Sequence, residues 1–261
     1  MEWWKLGILA LVQGLTEFLP ISSSGHLVIV EGLLFEHSDF FLRLSIALHA
    51  GTLVSILIYY HKAILYSVLQ KPRVMGLIIA ATIPTAIFGF TLKAIGEAYL
   101  ESPFLAGCML PITGLILIAA MKRPEGTIEY DGLTYLKAIV IGIAQSFALL
   151  PGISRSGTTI ATGMALGLKP QAAGTFSFLI AIPAILGATV VEFLGSDASP
   201  AETSQAFLFQ LTGAALFACV VGLFALKWLD NWLESRQLHY FAYWCIGLGF
   251  LVLIWQTYLL Y

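Results

Sequence analysis

Six long apolar stretches dominate the hydrophobic pattern of the chain, and polar loops separate them. Each stretch is close to the roughly 20 residues that a helix needs to cross a bilayer. The predicted spans are 42–60, 76–95, 103–121, 174–194, 205–226 and 241–260. The pattern therefore predicts an all-α, polytopic helical bundle that forms a single membrane domain over residues 1–261.

Four shorter apolar stretches form two pairs, and each pair is interrupted by helix-breaking residues. Pro20 separates the first pair, and Pro151 with Gly152 separates the second. The pairs are 6–19 with 24–34, and 139–150 with 158–168. These stretches are too short to cross a bilayer. Because irregular backbone is tolerated at membrane depth only inside protein or beside water, each pair predicts a re-entrant helical hairpin.

The two hairpins carry related polar motifs, Gln13 to His26 and Gln145 to Thr159. Shifting the first motif by 132 residues aligns its glutamine, two of its serines and its glycine with the same residue types in the second. The shift also places Ser23 on Arg155, so the copies share a skeleton and differ in their reactive groups.

Each half of the chain would then contain one hairpin and three spans. Because three is an odd number of crossings, the second half is inverted relative to the first. This predicts inverted-topology repeats over about 5–123 and 134–261, a plan that places binding sites at the repeat interface. We expect the hairpin tips to meet there and to bring Glu17, Ser23 and His26 to Arg155.

Basic residues cluster in the loops at one side of the predicted bundle. They are Lys62, Lys71, Arg73, Lys122, Arg123, Lys137, Lys169, Lys227 and Arg236. The positive-inside rule assigns these loops to the cytoplasm, although Arg43 departs from the pattern. The first hairpin would therefore enter from outside and the second from inside.

Composition agrees with a membrane protein. The chain is 59% apolar and 11% charged, whereas soluble domains carry about 25% charged residues. The net charge of −2 argues against a nucleic-acid partner and leaves the lipid bilayer as the expected surroundings.

Arg155 is the strongest candidate for binding an anion. A guanidinium can hold phosphate through two parallel hydrogen bonds, and hydroxyl groups surround this one. The predicted phosphate-binding residues are Ser22, Ser24, Ser154, Arg155, Ser156 and Thr159. A purely structural alternative is a buried ion pair between Arg155 and Glu17 that holds the hairpins together.

Glu17 lies four residues after Gln13, so both side chains project from one face of a helix. A carboxylate and an amide oxygen suit a hard cation, Mg²⁺ or Ca²⁺, which binds few protein ligands together with substrate phosphates. We therefore predict Glu17 and Gln13 as metal ligands. For Gln13, a hydrogen bond between the hairpins is an equal alternative, because Gln145 repeats it.

Ser23 and His26 offer a nucleophile and a base within four residues. A serine needs an adjacent base to attack, and histidine titrates near neutral pH. Glu17, Ser23, His26 and Arg155 are thus the predicted catalytic residues, with Ser23, His26 or water left open as nucleophile. His49 is expected to be a packed, hydrogen-bonded core residue, and Trp244 to belong to an interfacial aromatic belt.

The two motifs resemble those of the bacterial undecaprenyl-diphosphate phosphatases, the bacitracin-resistance family. The first is Gln13 and Glu17 followed by a serine-rich tract that ends in Gly-His at 25–26, and the second is Pro-Gly-x-Ser-Arg-Ser-x-x-Thr at 151–159. The likeness extends over essentially the whole chain. Gln13 departs from it, because many relatives carry glutamate there.

The resemblance implies a hydrolase that removes the terminal phosphate of undecaprenyl diphosphate with the help of a divalent cation, and so recycles the lipid carrier of cell-wall synthesis. It also implies a homodimer in the bacterial inner membrane, with the site open to the periplasmic face. The competing hypothesis is a transporter or flippase of a polyprenyl-phosphate lipid or another anion, because inverted repeats with broken helices also suit alternating access.

Overall fold

A computed structural model of the protein describes residues 2–34, 40–95, 102–195 and 204–259. Within these ranges the chain forms eleven α-helices, a short 3₁₀ turn at Tyr130–Gly132 and no β-strand. The helices are α1 (Trp3–Thr16), α2 (Ser23–Leu34), α3 (Phe40–Tyr59), α4 (His61–Leu69), α5 (Pro72–Ile95), α6 (Pro103–Met121), α7 (Tyr135–Phe147), α8 (Arg155–Ala165), α9 (Pro170–Gly195), α10 (Gln205–Glu234) and α11 (His239–Leu259).

The six longest helices are α3, α5, α6, α9, α10 and α11, and they correspond to the six predicted spans. Each is long and apolar enough to cross a bilayer. Large apolar side chains such as Leu136, Phe224 and Leu194 are more than two-thirds exposed, as expected for a surface that faces lipid. The chain is therefore a multi-pass helical membrane protein.

The sequence pattern missed α4, and it ended α10 too early. Helix α4 has nine residues and includes Lys62, so its pattern looked like a polar loop. Helix α10 continues from the predicted end at 226 to Glu234, because its polar last turns still form backbone hydrogen bonds.

The two predicted hairpins are present as the short helix pairs α1–α2 and α7–α8. Helix α1 has 14 residues and α7 has 13, so each rises only about 20 Å and falls short of a bilayer core of about 30 Å. The members of each pair pack against each other.

The hairpin tips meet inside the bundle. A Cβ atom added at Gly25 would lie 3.0 Å from the Cα of Gly152, so the two backbones are in contact. The Gly152 N–H donates to the Oγ of Ser22 at 3.1 Å, and the Ser156 hydroxyl donates to the Leu19 carbonyl at 3.2 Å. The predicted meeting of the tips is confirmed.

Neighbouring long helices hold both tips in place. Phe18 of the first tip is fully buried, and its ring packs edge-on against Phe178 of α9 with centroids 5.7 Å apart. Thr113 of α6 donates to the Gly152 carbonyl at 2.7 Å and accepts from the Ser154 N–H at 3.0 Å. The polar backbone of the second tip is thus satisfied by protein, as a tip inside the membrane would require.

Candidate functional site

The carboxylate of Glu17 is the centre of the site. It lies directly after the last residue of α1, and Glu17 is only 7% exposed. Its Oε1 accepts from Nη2 of Arg155 at 2.7 Å, and its Oε2 accepts from the Ser23 hydroxyl at 2.7 Å. Gln13, one turn earlier on α1, donates from Nε2 to the same Oε2 at 3.1 Å. The predicted approach of Glu17 and Ser23 to Arg155 is therefore observed.

Glu17 and Arg155 each occupy the end of a helix that disfavours its charge. The carboxylate lies at the C-terminus of α1, and the guanidinium belongs to the first residue of α8. Helix dipoles favour the opposite arrangement. Each charge therefore needs the other nearby to compensate it. The ion pair between Arg155 and Glu17, which was the purely structural alternative predicted from the sequence, is present.

The ion pair does not use the whole guanidinium. Nη1 of Arg155 is buried and has no hydrogen-bond partner. The Arg155 guanidinium also lies over the Phe178 ring, with Cζ 5.6 Å from the ring centroid. Because an unpartnered buried N–H group is costly, Nη1 is suited to a ligand oxygen.

The N-termini of α2 and α8 both lie at this ion pair, since Ser23 and Arg155 are their first residues. Both helix starts favour an anion. Ser22, just before α2, has the left-handed φ of +71° that a residue with a side chain rarely adopts. Strain of this kind is concentrated at functional sites.

Other predicted phosphate-binding hydroxyls already have protein partners. The Ser154 hydroxyl caps α8 by accepting from the Gly157 N–H at 3.0 Å, and it lies 3.2 Å from the Ser156 hydroxyl. The Thr159 hydroxyl donates to the Arg155 carbonyl at 2.7 Å and lies 2.6 Å from the hydroxyl of Ser177. These residues build the turn that presents Arg155, and their contact with phosphate stays a prediction.

Two hydroxyl groups of the first hairpin, those of Ser23 and Ser24, are more accessible than that of Ser22. Ser22 is buried, and its Oγ accepts from Gly25 and Gly152, whereas Ser23 and Ser24 are partly exposed. The Ser24 hydroxyl lies 3.4 Å from that of Ser22. Ser23 is therefore partly exposed at the protein surface and also donates a hydrogen bond directly to a carboxylate.

His26 has partners other than Ser23. Its Nδ1 lies 2.8 Å from the Ser22 carbonyl, and its Nε2 accepts from the indole N–H of Trp244 at 2.9 Å. The two rings are nearly parallel, with centroids 6.2 Å apart. Trp244 of α11 is half-exposed, and no pattern in the sequence indicates its contact with His26.

His49 of α3 lies at the site, although the sequence suggested a core position. Its Nε2 is 3.9 Å from Oε2 of Glu17, and its side chain is 28% exposed. The expected hydrogen bond exists, because Nδ1 lies 2.8 Å from the Ser45 carbonyl. A signal was available: His49, Thr52 and Ser55 recur every third residue along a mostly apolar helix.

Gln13 and Gln145 do not bridge the hairpins. Gln13 contacts Glu17 on its own hairpin, and Gln145 donates to the Thr85 hydroxyl of α5 at 3.0 Å. Gln13 is fully buried, yet its Oε1 has no partner. A free amide oxygen beside a carboxylate fits a hard cation, so the donors present are compatible with the predicted metal.

A buried carboxylate, a hydroxyl and a guanidinium with one unpartnered nitrogen lie where the two hairpins meet, at the centre of a polytopic membrane protein. A family model described as bacitracin resistance protein BacA matches residues 6–251. The chain belongs to this family.

Relatives match over nearly the whole length. The chain is 49% identical to the undecaprenyl-diphosphatase of Rhodopirellula baltica over 96% of each protein. It is 41% identical to the undecaprenyl-diphosphatase of Carboxydothermus hydrogenoformans over 94% of this chain and 95% of that protein. It is 37% identical to undecaprenyl-diphosphatase 4 of Bacillus cereus over 98% of each.

Proposed function

We propose that this protein hydrolyses undecaprenyl diphosphate to undecaprenyl phosphate and inorganic phosphate. The observation that carries the proposal is the ion pair of Glu17 with Arg155, which leaves Nη1 of Arg155 without a partner where two helix N-termini meet. Family membership and relatives named undecaprenyl-diphosphatase support this substrate. The lipid tail would lie among the spans, with the diphosphate between the hairpin tips.

The contacts of Ser23 support it as the nucleophile. Its hydroxyl attacks the terminal phosphorus while its proton passes to Oε2 of Glu17, which already accepts that hydrogen bond at 2.7 Å. The bond from the terminal phosphorus to the bridging oxygen breaks, and undecaprenyl phosphate leaves. Water then cleaves the phosphoserine, which releases inorganic phosphate and restores the Ser23 hydroxyl.

Arg155 stabilises the charge that develops on the phosphoryl oxygens. Its Nη2 orients Glu17, and its Nη1 is available to the phosphate. His26 holds the start of α2 through the Ser22 carbonyl and Trp244, so in this arrangement it positions Ser23. In this mechanism Glu17 is the direct base, and the predicted role of His26 as base stays a prediction.

Gln13 and Glu17 would hold the divalent cation, Mg²⁺ or Ca²⁺. When bound, such an ion neutralises charge on the phosphate oxygens.

Helix contacts support the proposed inverted repeat. If α1, α2, α3, α5 and α6 correspond to α7, α8, α9, α10 and α11, the contact of α1 with α10 corresponds to that of α7 with α5. The contact of α3 with α10 likewise corresponds to that of α9 with α5, and all four pairs are in contact. The pairs α6–α11 and α3–α9 would then lie on the pseudo-two-fold axis.

The distribution of basic residues supports a site open to the outer face of the bacterial inner membrane. The family resemblance alone supports the homodimer.

Lipid or anion transport is the second candidate function, and the paired broken hairpins favour it. The difference between the hairpins argues against a function limited to transport. Glu17 and Ser23 occur only in the first hairpin, and the corresponding positions of the second hairpin are Leu149 and Arg155.

Phosphate release from undecaprenyl diphosphate by the purified full-length protein tests the proposal. We expect release that EDTA abolishes, and a loss of at least about a hundredfold in Glu17→Ala, Ser23→Ala and Arg155→Ala, the scale of charge-stabilising and acid–base groups. The exposed Ser235→Ala and Arg123→Lys serve as matched controls and should keep full activity.

A folded wild-type protein that releases no phosphate with any divalent cation would refute the hydrolase. Movement of labelled lipid across vesicles by the same variants would then test transport.

A further inference from the structure

The environment of His49 fixes which of its ring nitrogens carries hydrogen. Nδ1 lies 2.8 Å from the Ser45 carbonyl oxygen and 3.3 Å from the Ser45 hydroxyl. A carbonyl can only accept, so Nδ1 carries hydrogen, and in the neutral ring Nε2 presents a lone pair. Metal-bound histidines characteristically donate their second ring N–H to a carbonyl or carboxylate in this way.

The Nε2 lone pair faces Glu17. Nε2 and Oε2 of Glu17 are 3.9 Å apart, and both are electron-rich. A divalent ion of the first transition row binds imidazole nitrogen and carboxylate oxygen at about 2.0–2.2 Å, so a separation of 3.9 Å allows both atoms to bind one ion. Arg155 donates to the other carboxylate oxygen, whereas Oε2 accepts from Ser23 and Gln13, so an ion bound there would share Oε2 with these two groups.

A second, independent observation points to the same place. The amide of Gln13 contacts Oε2 of Glu17 at 3.1 Å, and its Oε1 is buried without a partner, although Gln13 is 0% exposed. The His49 imidazole and the Gln13 amide are thus both neighbours of Oε2 of Glu17, and the amide has an oxygen that no protein group uses. Within the described ranges, no group of three or more His, Cys, Asp or Glu residues could hold a metal. With only three protein ligands, the ion would keep coordination positions for phosphate and water.

We infer that His49 is a nitrogen ligand of the divalent cation at this site, together with Glu17 and Gln13. The inference rests on the proposed function, because it concerns the cation of the same centre. A nitrogen donor favours a transition ion such as Mn²⁺ over Mg²⁺ or Ca²⁺, which bind mainly oxygen. His26 cannot take this role in the observed arrangement, because its Nε2 already accepts from Trp244.

The test uses Mn²⁺ as a probe of the purified full-length protein in detergent. Electron paramagnetic resonance gives the affinity, and electron spin echo modulation detects a coordinated ¹⁴N nucleus. We expect one bound Mn²⁺ with imidazole nitrogen coupling in the wild type. His49→Gln should remove the coupling and weaken Mn²⁺ binding at least about tenfold.

His61→Gln is the matched control. His61 also lies in a helix with Nδ1 2.8 Å from a backbone carbonyl, but it is exposed at the start of α4. This variant should keep both the coupling and the affinity.

Three results would overturn the inference: Mn²⁺ bound without nitrogen coupling, coupling that survives in His49→Gln, or no bound Mn²⁺ with or without inorganic phosphate. Phosphate release by the wild type would leave the hydrolase standing in each case. Failure of phosphate release would refute the hydrolase whatever the spectra show.

Discussion

At the scale of single residues, the site depends on the balance of charge around Glu17. The side chains of Glu17 and Arg155 are 6% and 15% exposed, so neither charge is well hydrated. Replacing one partner of a buried ion pair costs more folding free energy than replacing both partners with apolar residues. The single replacement leaves the other partner as an uncompensated buried charge.

This difference separates the structural role of the pair from its chemical role. We expect Arg155→Leu alone to destabilise the protein by about 3–5 kcal/mol. The double variant with Glu17→Leu should recover most of the melting temperature, because it removes both charges, yet it should release no phosphate. Thermal unfolding in detergent and the phosphate assay together check this. A double variant as unstable as the single one would contradict it.

At the scale of the elements, two short turns hold the hairpins against each other. Gly152 has a φ of +95°, and a Cβ added there would lie 2.5 Å from the Ala106 carbonyl and 2.7 Å from the Cβ of Met109. The Ser22 hydroxyl accepts a hydrogen bond from the Gly152 N–H, and the Ser22 backbone has a strained left-handed φ. The register between the tips, and hence the distance from Glu17 to Arg155, depends on this contact.

Gly152→Ala should therefore disturb both stability and activity. The left-handed backbone strain alone costs about 1–3 kcal/mol, and the contacts with α6 add to it. Gly187→Ala in α9 is the control, because a Cβ there meets nothing within 4 Å and alanine favours a helix. Melting temperatures of the two variants in detergent make the comparison. Equal stability would show that the tip contact is not needed.

At the scale of the whole molecule, the basic loops gather at one end of the bundle. Lys169 contacts Glu129 at 2.6 Å and Lys71 lies 3.4 Å from Asp131, so both lysines tie down the segment between α6 and α7. The starts of α5 and α9, which are distant in the chain, are thereby held at the same end of the bundle. The exposed Ser204, at the start of α10, belongs to the opposite end in the predicted topology.

Cysteine labelling tests this orientation in a variant from which Cys108, Cys219 and Cys245 are removed. A membrane-impermeant maleimide should label Ser204→Cys in right-side-out vesicles. Lys71→Cys and Lys169→Cys should react only in inverted vesicles, because the positive-inside rule places both in the cytoplasm. Labelling of all three from one side would refute the inverted repeat, and the reversed pattern would refute the orientation.

The spans, the hairpins, Glu17, Ser23 and Arg155 could be predicted because each depends on local sequence. Bilayer thickness sets the length of an apolar stretch, Pro20 and Pro151 break helices, and a charge at membrane depth stands out among leucines. The shared motif then indicated that the two tips meet. These inferences need no knowledge of how the long helices pack.

The surroundings of those residues depend on the packing of distant helices. Trp244 reaches His26 across 218 residues, and His49 reaches Glu17 from a separate span. Which hydroxyls are bonded to other parts of the protein likewise depends on contacts such as that of Ser156 with Leu19. Periodicity reports the face of a helix but not the neighbour opposite that face, so roles that depend on a partner's atoms emerge only when the bundle is assembled.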